Sequence, residues 1–497
     1  MSGAAESSKG RRLALNTLLL LGQHGFVTLA GVVAAAFVAT RLGPDHYGLF
    51  EYCFAFVGGF ALVSTFGLRA VTVRAVAQGE GQSKGQGKEE PSHYLGRALS
   101  LRVLLAVLAL APLLVTAWWR HHDPLFRLAI AVAALTLPID AVSTTIRDVF
   151  QGLERFDVEA LTGVLVRAFT LAGVIAALLA GLGVIAVVSV YAAGSLIRAA
   201  IPIFAARRVG LRLRPRWSGR AALHDLRQAA PFAGSAFASL LMWEIDPILL
   251  GELGGLAMVG VFAAGVKLIV PLEMIPESLA SAMAPTVARG WSQKDPGTEA
   301  LLQRSFFFLA ALGLPVAVGG VLCADLLVAL LFGDRYHEAA TVLQIVAAAL
   351  PFEFCSVPAF YALGAIHRQR AAFVATCGGA AVNVGLCLWL IPRHGAIGCA
   401  IATASAMVFC FIAAHLVLAR HYRVWARGLD YLKLLLANGV MAAAVVGARA
   451  WGALAAVAVG AVVYATLVTA MSLVRPRDLR NLLRSPSSEP SGEEASA

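Results

Sequence analysis

The side chains able to do chemistry in this chain are charged residues set inside apolar runs. Six cations lie in such runs: Arg69, Arg102, Arg147, Arg167, Arg198 and Lys267. Acids share them: Glu51, Asp140, Glu244, Asp246, Glu273, Glu277 and Glu353. A charge at mid-bilayer costs about 3 kcal/mol on insertion scales, so each must face a wet cavity or a partner. Arg69, Arg102, Arg147 and Arg198 fall within about two turns of a helix end. They either line a cavity or snorkel to the interface. Arg167 sits deeper. Lys267 is about 15 Å into its run at 1.5 Å per residue. It faces an aqueous cavity, or it pairs with Glu244, Asp246 or Glu273. Desolvated cations make strong charge-assisted contacts to phosphates. The expected anion-binding set is therefore Arg69, Arg102, Arg147, Arg167 and Lys267. Asp140 and Glu353 each follow a proline by two residues, Pro138 and Pro351. Proline frees a backbone carbonyl in the preceding turn. A kink beside a carboxylate is a candidate proton or sodium site, or simply a kink with a hydrogen-bonded carboxyl. Glu244 and Asp246 are further candidates for ion coupling.

Catalytic constellations are not found. Gly81 to Lys88 is rich in Gly and Lys, but Gln82 and Glu89 break the phosphate-loop pattern. His121 and His122 are adjacent, which is poor geometry for one metal. Glu244-Ile245-Asp246 resembles the acidic pair of membrane glycosyltransferases, yet it falls in the seventh span rather than in an outer loop, and the outer loops are tiny. No enzyme activity, metal or cofactor is expected, beyond a coupling proton or sodium ion. The seven cysteines show no metal-ligand spacing and read as small packing residues.

The elements that position these charges follow from composition. Of 497 residues, 59% are hydrophobic and 14% charged, against roughly 25% charged in a typical soluble domain. The fold class is all-α integral membrane. About fourteen runs are long enough to span, near 13–40, 47–68, 95–119, 126–150, 158–181, 184–206, 229–251, 256–288, 301–322, 338–366, 371–391, 395–419, 432–448 and 451–474. The first run is too long for a signal peptide and reads as a span. With both termini cytoplasmic, 28 of the 40 Lys and Arg residues fall in cytoplasmic segments and six outside. That asymmetry obeys the positive-inside rule. It also accounts for the net charge of +11 without nucleic acid.

Two halves repeat at one offset. Tyr47-Gly48-Leu49-Phe50 answers Val259-Gly260-Val261-Phe262, Gln151-Gly152 answers Leu363-Gly364, and Gly183-Val184-Ile185 answers Gly395-Ala396-Ile397, each shifted by 212. Leu137-Pro138-Ile139-Asp140 answers Leu350-Pro351-Phe352-Glu353 at 213. A six-span unit returns to its starting side, so the halves run in parallel, and such repeats frame a substrate path in transporters. The expected organisation is a six-helix bundle over 1–206, a basic cytoplasmic linker over 207–228 and a second six-helix bundle over 229–419. Two further transmembrane helices follow over 420–474, then a disordered cytoplasmic tail over 475–497.

Arg41-Leu42-Gly43-Pro44 through Tyr47-Gly48-Leu49-Phe50, then Phe66-Gly67-Leu68 and Val73-Arg74, resembles the opening of Wzx-type polysaccharide flippases. Asp246, Leu249-Leu250-Gly251 and Val259-Gly260 are similar to the start of that family's second half. Leu331-Phe332-Gly333, Tyr336, Ala339 to Gln344, Asn383 and Ile391-Pro392-Arg393-His394-Gly395-Ala396-Ile397-Gly398 resemble its later signature. The likeness covers most of residues 13–420. It implies membership of the superfamily that also holds multidrug exporters and the lipid II flippase, a V-shaped cavity, and alternating access. It implies as cargo a polyprenyl-pyrophosphate-linked oligosaccharide moved across the bacterial inner membrane, with a polysaccharide polymerase and glycosyltransferases as partners. The alternative is a cation-coupled exporter of amphipathic small molecules.

Overall fold

In lipid a backbone must satisfy its own hydrogen bonds, and apolar runs of this length do so as helices. The computed structural model describes residues 2–80, 91–120, 123–425 and 428–473. The Gly81–Lys88 loop, His121, His122 and the tail over 475–497 lie outside the described residues. Among those described, the chain forms sixteen α-helices and two short 3-10 turns. Ten helices are long and apolar enough to cross a membrane, or twelve if two bent pairs each count as one span. Large apolar side chains such as Leu29, Val115, Leu128, Leu416 and Leu454 are exposed on these helices, as a lipid-facing surface requires.

By contacts the chain divides at Lys267/Leu268. The first unit holds α1 (Ser2–Thr65), α2 (Leu68–Glu80), α3 (Pro91–Arg120), α4 (Pro124–Ala134), α5 (Thr136–Gly152), α6 (Asp157–Leu179), α7 (Val184–Arg208), α8 (Gly219–Trp243), α9 (Asp246–Leu253) and α10 (Leu256–Lys267). The second holds α11 (Val270–Gln293), α12 (Gly297–Phe332), α13 (His337–Ala365), α14 (Gln369–Leu418), α15 (Gly428–Ala448) and α16 (Ala453–Ala470).

Several boundaries differ from expectation. The stretch after Arg207 becomes helical at Gly219. The run near 229–251 is bent by 52° where α8 meets α9, and the run near 256–288 by 49° where α10 meets α11. Pro247 and Pro271 open the second member of each pair, where a missing N–H is harmless. The run expected to end at 322 continues as α12 to Phe332.

The repeat is visible in backbone conformation. Gly43 inside α1 and Gly255 before α10 both adopt positive φ, 79° and 96°, at an offset of 212. Gly395 inside α14 (φ 55°) is another such break, and its counterpart Gly183 separates α6 from α7. The break in α14 reverses the chain. Cys387 and Cys399 lie twelve residues apart, about 18 Å along a straight helix, yet their Sγ atoms are 3.8 Å apart. Farther from the turn, the Cys410 thiol meets the Ala375 carbonyl at 3.7 Å. So α14 is a hairpin of two antiparallel arms.

In the first unit α5 is the hub. Its apolar face (Ile146, Val149, Phe150) packs with Leu95 of α3, Val158 of α6 and Ala206 of α7. In the second unit α15 and α16 pack on α12. Tyr464 donates to the Ala311 carbonyl at 2.5 Å and Arg449 pairs with Asp325.

Candidate functional site

Inside the first unit the deep charges converge. Lys267 Nζ lies 2.9 Å from Glu51 Oε1, joining α10 to the arm of α1 that follows Gly43. Lys267 ends α10, about 16 Å from that helix's start at 1.5 Å per residue, and Glu51 is about 10 Å past the α1 break. Their side chains keep 30% and 19% exposure, so the pair is reachable by water. Glu244, exposed at the C-terminal end of α8, is an electrostatic neighbour of both Glu51 and Lys267. Arg167 of α6 is the electrostatic neighbour of the Tyr191 hydroxyl on α7. The Tyr191 ring is held edge-on by Phe50 (4.9 Å) and tilted against Phe54 (5.4 Å), both on α1. Gly31 of α1 makes room for Arg167: a Cβ there would sit 2.8 Å from its guanidinium.

The site thus contains two cations, two acids and a phenol, drawn from α1, α6, α7, α8 and α10. It is amphoteric rather than purely cationic. Lys267 is oriented by a protein oxygen that a phosphate oxygen can replace. A phosphate would gain charge-assisted bonds from Lys267 and Arg167 while releasing Glu51.

The remaining expected cations lie elsewhere, on the α5 network. Arg102 departs from the expectation that it faces a cavity. It is only 1% exposed and bonds Asp148 at 2.6 Å. Arg69 is largely exposed, reaches the same Asp148 at 3.8 Å, and donates to Gln151 Oε1 at 3.1 and 3.2 Å. Arg147 pairs with Glu159 at 2.6 Å. Arg198 bridges both oxygens of Asp140 at 3.2 Å. Asp140 is therefore committed to an ion pair that ties α5 to α7. Arg102 and Asp148 tie α3 to α5, and Arg147 ties α5 to α6.

Sequence reasoning missed Glu51 as the partner of Lys267 and Asp148 as the partner of Arg102. Depth was the available signal: Glu51 and Lys267 fall at similar distances from equivalent breaks. Which faces meet depends on helix rotation, which spacing alone does not state. Among the other acids, Asp246 is buried at the first residue of α9, unlike its neighbour Glu244. In the second unit Glu353 is buried on α13, with Glu273 of α11 as its electrostatic neighbour.

A sequence profile of the polysaccharide biosynthesis protein family matches residues 13–291, more than half of the chain. The chain belongs to that family. A MatE profile matches residues 231–389 as well. A putative O-antigen transporter of Shigella flexneri is 20% identical over 412 residues, covering 78% of this chain and 93% of that one. Among solved structures, the lipid II flippase MurJ in an inward closed conformation superposes with a TM-score of 0.75 at 15% identity, covering 95% of this chain and all of MurJ. An inward-facing multidrug resistance MATE family transporter gives 0.61 at 16% identity, covering 79% of this chain and 95% of that one. The fold is therefore that of a multi-pass all-α transporter, and these relatives are transporters and flippases rather than enzymes.

Proposed function

We propose that this family member is an alternating-access flippase. It carries a polyprenyl-pyrophosphate-linked oligosaccharide from the cytoplasmic to the outer leaflet of a bacterial inner membrane. The likeness to the O-antigen transporter carries this reading, because it extends over 93% of that chain and 78% of this one. The amphoteric site suits the anionic head: Lys267 and Arg167 take the pyrophosphate, Glu51 holds Lys267 between cycles, and the prenyl tail stays in lipid. In this reading the chain crosses the membrane fourteen times with both termini in the cytoplasm. The breaks at Gly43 and Gly395 each divide one long helix into two spans, raising twelve to fourteen. The glycan lipid is supplied by glycosyltransferases and consumed by a polymerase.

A second reading, export of amphipathic cations, draws on the MatE match and on Glu51 and Glu244 in the site. Replacement of the basic residue separates the two. Under the flippase reading Lys267→Ala abolishes surface polymer even after correction for the amount of protein in the membrane, with no change in drug resistance. Under the export reading it leaves polymer intact and alters resistance.

A further inference from the structure

The chain from the end of α7 to the start of α8 carries charge that the Lys267 site does not use. Residues 207–220 hold six arginines, Arg207, Arg208, Arg212, Arg214, Arg216 and Arg220, and no acid. All six are exposed. Among the described residues none of them forms an ion pair. Asp225, the next acid along the chain, is buried and held by Arg97 at 3.3 Å.

The segment is nevertheless fixed in place. Leu211 and Leu213 pack against the core cluster that holds Leu95, Phe150 and Ala206. Arg212 and Arg214 alternate with them on the exposed side, the period of two of an extended chain. The Arg212 N–H donates to Ser92 Oγ at 3.4 Å and the Arg216 N–H to the Gly96 carbonyl at 3.1 Å, both on α3. Gly96 lets this strap lie close: a Cβ there would meet the Arg214 carbonyl oxygen at 2.2 Å. The guanidinium groups are thus displayed from a pinned backbone, which leaves less to order on binding.

Apolar surface runs up to the arginines. On α7, Leu196, Ala200, Phe204 and Arg208 recur every four residues, so they form one stripe of the helix. All four are exposed. Arg208 lies over the Phe204 ring at 4.3 Å. Beyond the strap Trp217 and Leu223 are exposed as well. A phospholipid has the matching order, with hydrocarbon beside the helix and phosphate where the helix ends. Guanidinium forks bind phosphate oxygens in pairs, and tryptophan sits at headgroup level. An acidic protein would answer the arginines and leave the apolar stripe uncovered.

We propose that the exposed stripe of α7 and the strap over residues 212–217 form a docking surface for anionic phospholipids of the leaflet at which α7 ends. The acyl chains lie along Leu196 and Phe204, and the headgroup phosphates sit on Arg208, Arg212, Arg214 and Arg216. Basic clusters directly beside a span attract anionic lipid in this way. The identity of the transported cargo does not enter.

Native mass spectrometry on the purified full-length protein, titrated with phosphatidylglycerol or phosphatidylethanolamine, tests this directly. The wild type is expected to retain phosphatidylglycerol in preference. Arg212→Gln, Arg214→Gln and Arg216→Gln together should lower its affinity by about a hundredfold, at about fivefold per basic residue. The single variant Arg214→Gln should lose about fivefold on the same scale, and it gives a reading even if the triple variant is unstable. Removing as many charges from exposed sites of the second unit, by Arg335→Gln, Arg368→Gln and Arg370→Gln, should leave the preference intact. Equal retention of the two lipids by the wild type overturns the proposal. So does an equal fall in both triple variants, which would report net charge alone. A photoreactive residue in place of Trp217, activated in native membranes, is expected to label phospholipid. Labelling of protein alone would assign the surface to a protein partner and overturn the lipid docking.

Discussion

Gly48 and Gly260 pack against each other reciprocally. A Cβ on Gly48 would lie 2.9 Å from the Gly260 nitrogen, and a Cβ on Gly260 would lie 3.1 Å from the Gly48 nitrogen. The first would also meet the Leu256 carbonyl oxygen at 1.7 Å, and the second the Pro44 carbonyl oxygen at 2.2 Å. Positions 44 and 256, like 48 and 260, differ by 212. The contact is thus local two-fold symmetry between α1 and α10, made possible by the absence of side chains where two backbones meet, a common device of membrane helix packing.

Enlarging either glycine forces the two helices apart. Gly48→Ala and Gly260→Ala should each destabilise by about 1–3 kcal/mol, the usual cost of overpacking. The larger Gly48→Leu should prevent accumulation of folded protein. Gly58, with nothing within 4 Å of its would-be Cβ, is the control, and Gly58→Ala should melt no lower than wild type. Thermal unfolding in detergent, followed by size-exclusion chromatography, reads all four.

The Glu51–Lys267 pair separates a structural role from a functional one. Removing one partner of a partly buried pair leaves an uncompensated charge, whereas removing both does not. Glu51→Gln and Lys267→Met should each lower protein level or melting temperature. The double variant should recover stability more than the single effects predict, yet still transport nothing. A double variant with wild-type transport would remove the pair from the mechanism.

Arg102 and Asp148 are buried more completely, with side-chain exposures of 1% and 9%. Asp148→Asn should cost about 3–5 kcal/mol, as expected for a stranded buried charge. Arg102→Met combined with Asp148→Leu should regain most of that loss. Chemical denaturation in mixed micelles measures each value.

The hairpin in α14 predicts a specific proximity. A short bifunctional thiol reagent should bridge Cys387 to Cys399, and tryptic mass spectrometry should find the two peptides linked. Cys387→Ser should abolish the product. Absence of any link in the folded wild type would argue for a continuous helix through Gly395.

What the chain disclosed in advance follows from one-dimensional physics. Apolar length marked the spans, and the offset of 212 picked out Gly48 and Gly260 before their contact was seen. Depth along a helix singled out Lys267. Pairing was a different matter. Glu51 was visible as an intramembrane acid, but only the rotation of α1 about its axis turns it toward α10. Arg102 read as a cavity cation because its position near a helix end says nothing about which neighbour covers it. Asp148 adjoins Arg147, and adjacent residues on a helix point about 100° apart, so Arg147 and Asp148 take partners on different helices. The bends at Glu244 and Leu268 fall beside prolines, Pro247 and Pro271, yet apolar character continues through them and masked both.

The central claim is that the cargo is a lipid-linked glycan crossing between leaflets. It is tested most directly by deleting the gene in a strain without a second flippase and measuring which leaflet holds the polyprenyl-linked glycan, using spheroplasts probed with a membrane-impermeant lectin. Complete glycan lipid inaccessible from outside, loss of surface polymer, and recovery of both by the wild-type gene but not by Lys267→Ala are the predicted result. Glycan lipid still accessible from outside, with normal surface polymer, would contradict it.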